Sequence, residues 1–553
     1  MKINELFPNF SKENEQNFLR DYLVANGIKP EDVDFYLHPD ETAYDDPLDY
    51  PHMNEAIELT KSAIENGSKI GIVVDSDADG YCSASLTYLF LRHVKSDLNI
   101  QVFTHTTKQH GIHDLVSKII ESEIRFLIIP DAGTNSADDC AELAAHDVKI
   151  LVLDHHEIEN ENRHCVLINP HCNEKLNIAL SGTGVVDKWA RAYCQKNSIE
   201  YPGYEDLVAV SLATDVCDLR ALENRAYMYF GLKKHGAENV YSNKFIAYLF
   251  DKNCRRGVTP EGIVFGIGPL VNALARCPVD EQQKMIFFSG LTGAETAEDT
   301  ALKQLRSVKS AQDSRVKVVV EDLEGKIDNT HKVIFAFIDK DDAPYSGLIA
   351  GKLCGEYNKP TLVLRELNST MWSGSLRSPE PIADKINATG LANCMGHLSA
   401  CGIVIKKSNL NRLAKWFDGL DIDVHPADNV TAKLNAADLD LCRICMENKR
   451  LWGKGLPEPT FYFDAEVNRS AVQVLGKNQN TIKISADGMD LIKFFADSGM
   501  IDILTAHEKF RLEAIYKPNV NEYMGIESAQ GFIEKFEVTP IEEKTFDFDE
   551  IFS

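Results

Sequence analysis

Short apolar runs that each end in a polar, mostly acidic turn are the feature that most restricts the fold of this chain. Three of them, KIGIVV, IRFLII and VKILVL, occupy residues 69–74, 124–129 and 148–153 and alternate with helix-like segments. This alternation predicts a parallel α/β sheet. Functional side chains in such sheets gather beyond the carboxyl ends of the strands. We therefore expect the acids that follow these runs to converge at one edge of the sheet.

The charge balance is strongly acidic, with 58 Lys and Arg against 84 Asp and Glu and a formal net charge of −26. Such a chain repels a polyanion unless its basic residues are concentrated locally, so we do not expect non-specific binding of nucleic acid through bulk charge. Residues 301–325 are the most basic segment up to that point of the chain, and they form either a solvated helix face or one wall of a channel for a polyanion. The cations of this segment are Lys303, Arg306, Lys309, Arg315 and Lys317.

Two features indicate the compartment. The N-terminal segment MKINELFPNFSKENEQ has no apolar region of the kind that export signals carry, and no stretch approaches 18 uninterrupted apolar residues. The 13 cysteines are scattered along the chain, which is typical of reduced thiols. We expect a cytoplasmic protein that does not contact membranes.

At 553 residues the chain is long enough for three or four domains of about 150 residues each. The fold class that we predict is α/β: a parallel-sheet domain and a smaller α/β domain joined by a long helix, then a C-terminal OB-like β-barrel. The predicted segments are an N-terminal extension, the first α/β domain, the connecting helix, the second α/β domain, a helical linker, the barrel and an acidic tail, at residues 1–50, 51–300, 301–328, 329–410, 411–456, 457–540 and 541–553.

The first candidate site is the motif DSDADG, which places Asp75, Asp77 and Asp79 directly after an apolar run. Carboxylates this close together repel one another unless a cation neutralises them, and hard divalent ions prefer oxygen ligands. The motif alone leaves a solvated acidic turn or a calcium loop open.

Further candidates follow other apolar runs. Asp131 follows one run, Asp154, His155 and His156 follow another, and Asp215 follows the run LVAVSLAT. A mixture of Asp and His suits manganese better than calcium. Together, these sites supply five or six carboxylates and one or two imidazoles from four different strand ends, a number and mixture that fit a two-metal centre for phosphoryl displacement.

These motifs, in the order DSDADG, PDAG, DHH and ATDV, resemble the DHH phosphoesterases. The resemblance extends to the RecJ single-strand-specific exonucleases through NGIKPEDVDFYLHPD, GIGPLVNALAR, YSGLIAGKLCGEYNKPTLVL, SGSLRS, MGHLSACG and GKGLPEPTF. It implies a metal-dependent exonuclease that degrades single-stranded DNA from the 5′ end, releases mononucleotides, and serves DNA repair, recombination or replication. The last segments match the place of an oligonucleotide-binding barrel in that family.

The resemblance also implies roles for individual residues. The ligands of two manganese or magnesium ions would be Asp75, Asp77, Asp79, Asp131, His155 and Asp215. His156, together with Asp154, would be catalytic, with His156 beside the scissile phosphate. The substrate would be held by Asn272, Arg276, Ser375, Arg377, Gly396 and His397. The chain departs from the family pattern at Met395, where the family usually has glycine, and in the segment 110–114.

Two other functions and several partners stay open. The chain could be a phosphodiesterase of short RNA or cyclic dinucleotides, which the extra barrel disfavours, or a non-catalytic replication scaffold, which the retained acids disfavour. The tail alternates acids with Phe546, Phe548, Ile551 and Phe552, and it resembles the tips with which single-strand-binding proteins dock partners. We expect single-stranded DNA as substrate, a single-strand-binding or other replication or repair protein as partner, and a monomer.

Overall fold

The computed structural model describes residues 1–10, 17–105, 111–233, 241–254, 257–293, 298–420 and 427–541. The acidic tail beyond Ile541, on which a partner is predicted, and His110 lie outside these residues. The chain forms two compact units. Residues 40–424 make up one unit, and residues 1–39 with 425–553 make up the other.

The strands are β1 (Ile3–Glu5), β2 (Ile70–Val74), β3 (Ile100–Thr104), β4 (Phe126–Pro130), β5 (Lys149–Leu153), β6 (Val166–Ile168), β7 (Ile334–Phe337), β8 (Thr361–Asn368), β9 (Met371–Arg377), β10 (Ala392–His397), β11 (Ala400–Lys406), β12 (Asp428–Val430), β13 (Ala432–Lys433), β14 (Phe461–Asn468), β15 (Val472–Leu475), β16 (Thr481–Ala486), β17 (Met489–Phe494), β18 (Lys509–Tyr523) and β19 (Ile526–Pro540).

The helices are α1 (Phe18–Ala25), α2 (Val33–Leu37), α3 (Met53–Glu65), α4 (Ala78–Val94), α5 (Val116–Glu121), α6 (Ala137–Ala145), α7 (Gly182–Asn197), α8 (Glu205–Thr214), α9 (Leu222–Gly231), α10 (Lys244–Asn253), α11 (Pro260–Gly266), α12 (Gly268–Arg276), α13 (Glu281–Thr292), α14 (Glu298–Glu324), α15 (Ser346–Tyr357), α16 (Ala383–Ala388), α17 (Leu410–Asp418), α18 (Leu439–Glu447) and α19 (Ser498–Thr505). None of the helices in the described ranges has the length and apolar character needed to span a bilayer.

The predicted parallel sheet is confirmed. Its strand order is β3-β2-β4-β5-β6, and every neighbouring pair runs parallel. β2 and β4 are buried along their whole length because helices cover both faces of the sheet, which is why these strands read as continuous apolar runs.

The prediction that the run before Asp215 is a strand is wrong. The run that precedes Asp215 is not a strand but the helix α8, in which residues 206–213 are all buried. Periodicity cannot separate a buried helix from a buried strand when every position is apolar. Asp215 therefore lies at the end of a helix rather than at the end of a strand.

A single helix connects the two α/β sheets. α14 is continuous over 27 residues, so the segment is one long helix rather than a helix followed by a linker. The second sheet has the order β10-β11-β9-β8-β7, in which only β7 and β8 pair in parallel. One face of this sheet packs on α16 and α17, and the other packs on α14 and α15.

The other unit contains the barrel, whose strand order is β13-β14-β18-β19-β17-β16-β15. β14 and β15 stand near opposite ends of that order, yet only residues 469–471 separate them in the chain. The chain therefore passes from one side of the sheet to the other through a single short helical turn. Residues 1–39 belong to this unit, since β1 pairs in parallel with β12.

Candidate metal centre and phosphate-binding face

The parallel sheet brings five buried polar residues to one edge. The registers pair Val74 with Thr104, Ile72 with Ile128, and Pro130 with Leu153, so the strands end at the same level. The first residue after each strand lies in one row along the carboxyl edge, and each is at most 3% exposed. In sheet order, these residues are His105, Asp75, Asp131, Asp154 and Asn169.

Asp131 is the central member of the row. It is 2% exposed, and its backbone has a φ of 62°, which is strained for a residue other than glycine. Its Oδ1 is buried and accepts no hydrogen bond from the described residues, although it lies 3.3 Å from Nε2 of His155. A buried carboxylate oxygen without a donor is costly, so this atom fits a metal ligand.

His155 joins side chains that are far apart in the sequence. Its Nε2 lies 3.8 Å from Asp215 and 3.9 Å from Asp79, in addition to Asp131. Ligand atoms of Asp79, His155 and Asp215 lie within 4.8 Å of one another, and so do those of Asp75, Asp77 and Asp131. The six residues proposed as metal ligands thus form two adjoining groups, with Asp131 next to both.

Hydrogen bonds fix the position of Asp79. One of its oxygens accepts from the backbone N–H of Gly182 at 2.8 Å, and the other accepts from the backbone N–H of Thr183 at 2.8 Å and from Ser211 Oγ at 2.5 Å. The N-terminus of α7 therefore stabilises this negative charge. A Cβ atom on Gly182 would lie 2.2 Å from Oδ1 of Asp131, so only glycine allows this helix to approach the row.

Asp154 acts on the histidines. Its Oδ1 accepts a 2.7 Å hydrogen bond from Nδ1 of His156 and another from the backbone N–H of His155, and its Oδ2 accepts one from the backbone N–H of Thr134. Burial raises the pKa of Asp154. These hydrogen bonds and the charges of the imidazoles outweigh burial, so the pKa of Asp154 lies well below its usual range. The hydrogen bond to Asp154 raises the pKa of His156 to about 9. His156 therefore carries a proton at neutral pH, with half of its side chain exposed.

The acids of the row repel one another. Burial raises the pKa of Asp131 well above its usual range, and the charges of Asp79, Asp77 and Asp75 add to this effect. Burial and the charge of Asp79 raise the pKa of Asp215 to about 7. A divalent cation would remove this repulsion, since it is a larger local charge than any side chain. The donor set therefore fits two divalent cations of the manganese or magnesium type.

Two arginines lie near this centre. Nε of Arg276, at the end of α12, is buried and has no partner among the described residues. Burial lowers the pKa of Arg276, while the charge of Asp77 raises it. Burial also lowers the pKa of Arg377 on β9, and so does the charge of Arg276. Guanidinium groups whose charges interact in this way favour a bound anion, and the geometry of arginine matches phosphate.

The strand register places the other proposed phosphate ligands beside Arg377. Ala400 pairs with both Arg377 and His397, and Gly402 pairs with Ser375. Directly opposed residues share a face, so Ser375, Arg377 and His397 lie on one face of the second sheet. Oγ of Ser375 is 2.9 Å from Oγ of Ser346.

Gly396 lies next to His397 with a φ of 121°, a conformation that favours glycine. Asn272, on α12, is half-buried, and His397 is exposed. These three residues stay predictions, because their positions alone do not assign them a ligand.

Two family models match the chain. Residues 69–213 match the DHH family N-terminal domain, and residues 430–535 match the RecJ OB domain. The chain is RecJ-like. Its DHH domain is the parallel sheet that carries the acid row, and its OB domain is the barrel.

Relatives of similar length support this result. An SPbeta prophage-derived protein of Bacillus subtilis strain 168, which carries the name single-strand DNA-specific exonuclease YorK, is 27% identical over 97% of this chain and 99% of its own length. RecJ of Haemophilus influenzae, named a single-stranded-DNA-specific exonuclease, is 23% identical over 89% of this chain and 91% of its own. The crystal structure of Thermus thermophilus RecJ with Mn²⁺ has the same fold, with a TM-score of 0.74, 18% identity, and coverage of 97% of this chain and 78% of that one.

The DHH domain uses residues that the motifs did not reveal. Gly182, Thr183 and Ser211 hold Asp79 and admit the helix, and Thr134 holds Asp154. The segment Ser-Gly-Thr-Gly at 181–184 was the available signal, because small residues at a helix start allow close backbone approach.

The basic segment on α14 is mostly paired with acids. Lys303 contacts Asp299, and Lys309 contacts Asp313, each one helical turn away on the same helix. Arg315 forms a bidentate ion pair with Asp342. These contacts favour the interpretation that the basic segment is a solvated helix face, and they disfavour the interpretation that it is one wall of a channel.

Proposed function

We propose that this protein is a two-metal exonuclease of single-stranded DNA. The observation that carries this proposal is the convergence of five carboxylates and one imidazole, from three strand ends and one helix end, around Oδ1 of Asp131, which accepts no hydrogen bond from the described residues. Such a set, in a DHH domain followed by a RecJ OB domain, supports phosphodiester hydrolysis.

The residues divide into metal ligands and substrate ligands. Asp75, Asp77 and Asp131 would hold one cation, and Asp79, His155 and Asp215, next to Asp131, would hold the second. When bound, these cations supply an activated water and neutralise the charge that develops on the phosphate. Manganese or magnesium fits the oxygen-rich set.

The chain itself orients the phosphate. The hydrogen bond to Asp154 raises the pKa of His156 to about 9, so both ring nitrogens carry a proton at neutral pH and Nε2 would donate a hydrogen bond to a phosphate oxygen. Arg276 and Arg377 clamp the phosphate from two sides, and Ser375 and His397 donate from the same face. Gly396 admits the strand close to the backbone, and Asn272 contacts it from α12.

The direction and setting of the reaction rest on the family resemblance. The enzyme degrades the strand from the 5′ end, releases mononucleotides, and serves DNA repair, recombination or replication. It works as a monomer in the cytoplasm of a bacterial or phage-infected cell. The acidic tail docks a single-strand-binding or another replication or repair protein.

The decisive experiment compares labelled substrates with the full chain. A single strand labelled at the 5′ end should release labelled mononucleotide at once when manganese is present, and a 3′-labelled strand should do so only late. Rapid release of labelled mononucleotide from the 3′-labelled strand would show that the enzyme degrades DNA from the 3′ end instead. Faster hydrolysis of a cyclic dinucleotide or a short RNA would replace the proposed substrate, and no hydrolysis with bound manganese would favour a scaffold.

A further inference from the structure

The turn that ends α8 follows directly on Asp215, one of the proposed metal ligands. Two backbone hydrogen bonds close this turn. The N–H of Val216 donates to the carbonyl of Ala213 at 3.3 Å, and the N–H of Cys217 donates to the carbonyl of Leu212 at 3.0 Å. This pair of hydrogen bonds is the Schellman motif, in which the residue after the helix cap has a left-handed backbone and is commonly glycine.

Val216 occupies the glycine position of this turn. Its φ is 57°, a left-handed conformation that is unfavourable for a β-branched residue. Its side chain is 53% exposed, so burial of apolar surface does little to offset the strain. Backbone strain of this kind persists mainly at functional sites, where the surrounding structure holds it in place. The strain therefore indicates that the turn serves the residues on either side of Val216.

The turn folds the thiol of Cys217 back onto the carboxylate of Asp215. Sγ of Cys217 lies 3.5 Å from Oδ2 of Asp215, and Nε2 of His155 lies 3.8 Å from the same oxygen. Among the described residues, no other side chain donates a hydrogen bond to this carboxylate. A carboxylate oxygen has two lone pairs, so Oδ2 can accept the thiol proton on one side and contact a cation on the other.

Packing alone is the simpler explanation for Cys217. The side chain is half-buried against the hydrophobic core, and an apolar residue at its position commonly completes a Schellman motif. Packing needs only an apolar side chain, whereas the contact with Asp215 needs a donor. The surroundings of Asp215 favour a donor, because the last carbonyls of α8 are partly negative and the last turn of this helix has no basic residue.

We propose that Cys217 is a positioning residue, which donates its S–H to Asp215 and holds this carboxylate in place for the second cation. The proposal rests on the proposed function and deepens it, because it names a residue that sets the affinity for that cation. A cation here is indicated independently, since Oδ1 of Asp131 is buried and accepts no hydrogen bond from the described residues. Hydrogen bonds to a ligating carboxylate orient it, and removing them weakens metal binding.

The test measures manganese binding by the full chain without substrate, through calorimetry and the electron paramagnetic resonance signal of free Mn²⁺. The wild type should bind two ions. Cys217→Ala removes the donor and should weaken one of the two binding steps roughly 10-fold. Cys217→Ser supplies a hydroxyl donor and should restore that step. The matched control is Cys172→Ala, which changes an exposed cysteine of the same unit and should bind as the wild type does.

The serine and alanine variants separate the donor from packing. Wild-type manganese affinity in Cys217→Ala would overturn the proposal, because packing would then be the only role of the side chain. Equal weakening in Cys217→Ser and Cys217→Ala would overturn it too, and so would equal weakening in Cys172→Ala. If alanine destabilises the turn in thermal melts, Cys217→Val provides the same comparison, since it fills the space without a donor.

Nuclease assays distinguish this proposal from the proposed function. In Cys217→Ala, the manganese concentration that gives half the maximal rate should rise about 10-fold, and saturating manganese should restore the rate. A loss of rate that saturating manganese does not restore would overturn the positioning role. If the wild type binds two manganese ions but hydrolyses no single-stranded DNA, the nuclease proposal fails and the positioning role stands.

Discussion

Two clusters of buried charges lie in the DHH domain, and they differ in where their counter-charges come from. In the first, Lys188 is fully buried against Glu223, and Arg191 bonds both Asp187 and Glu205. Tyr201 and Tyr227 also donate hydrogen bonds to Asp187. In this cluster every acid has a partner supplied by the chain.

The proposed metal ligands are the opposite case. They bring five carboxylates together with a single imidazole, and Oδ1 of Asp131 accepts no hydrogen bond from the described residues. A buried cluster whose acids are all paired with cations or hydrogen-bond donors of the chain stabilises the fold. A buried cluster of acids that lacks these partners favours bound cations, because they neutralise the repulsion.

The largest effect is expected for Asp131→Asn. Removing the residue next to both ligand groups should reduce nuclease activity about 1000-fold or more, because several kcal/mol of charge stabilisation depend on the metals. The melting temperature in EDTA should stay or rise, since mutual repulsion is relieved. Nuclease assays and thermal melts measure both, with the exposed Asp97→Asn as control. A large loss of stability would contradict the comparison.

Lys188→Met should have the reverse pattern. It leaves Glu223 buried without its cation, which should lower the free energy of unfolding by about 3–5 kcal/mol. Denaturant unfolding measures this. The additional change Glu223→Gln should restore part of the loss, and the folded fraction should bind manganese as the wild type does. If the single variant is as stable as the wild type, the cluster is not the structural one.

Gly182→Ala should disturb the row without removing any ligand. The new Cβ would collide with Asp131, so the carboxylate or α7 must shift. A displacement of this kind should lower kcat about 100-fold and weaken manganese binding. Gly355→Ala, on the helix α15, has open space around its Cβ and is the matched control. Wild-type activity in Gly182→Ala would show that the approach of α7 is not critical.

The smallest effect is a pH dependence. The pKa of Asp215 is about 7 in the folded protein against 3.8 for the free side chain, so the metal-free folded state holds the extra proton. Stability in EDTA should therefore fall as pH rises from about 4 to about 7. Manganese affinity should rise over the same range, because the ligand must lose its proton. Asp215→Asn should flatten the stability profile, and an unchanged profile would argue against the assigned cause.

The three apolar runs and the acids behind them were sufficient to predict the parallel sheet and its carboxyl edge. The run before Asp215 was not sufficient to predict its own secondary structure, because an all-apolar stretch fits a buried helix as well as a buried strand. The motifs also gave no sign that Gly182, Thr183 and Ser211 hold Asp79, since these contacts cross more than 100 residues of chain.

Local patterns of apolar and acidic residues are enough to predict the α/β class, the acidic motifs and the resemblance to the RecJ exonucleases. Only the tertiary structure decided that His155 contacts Asp79, Asp131 and Asp215. It likewise decided that the charge of Arg276 reaches Arg377. Distances, burial and backbone strain depend on packing between distant segments, and no local pattern records that packing.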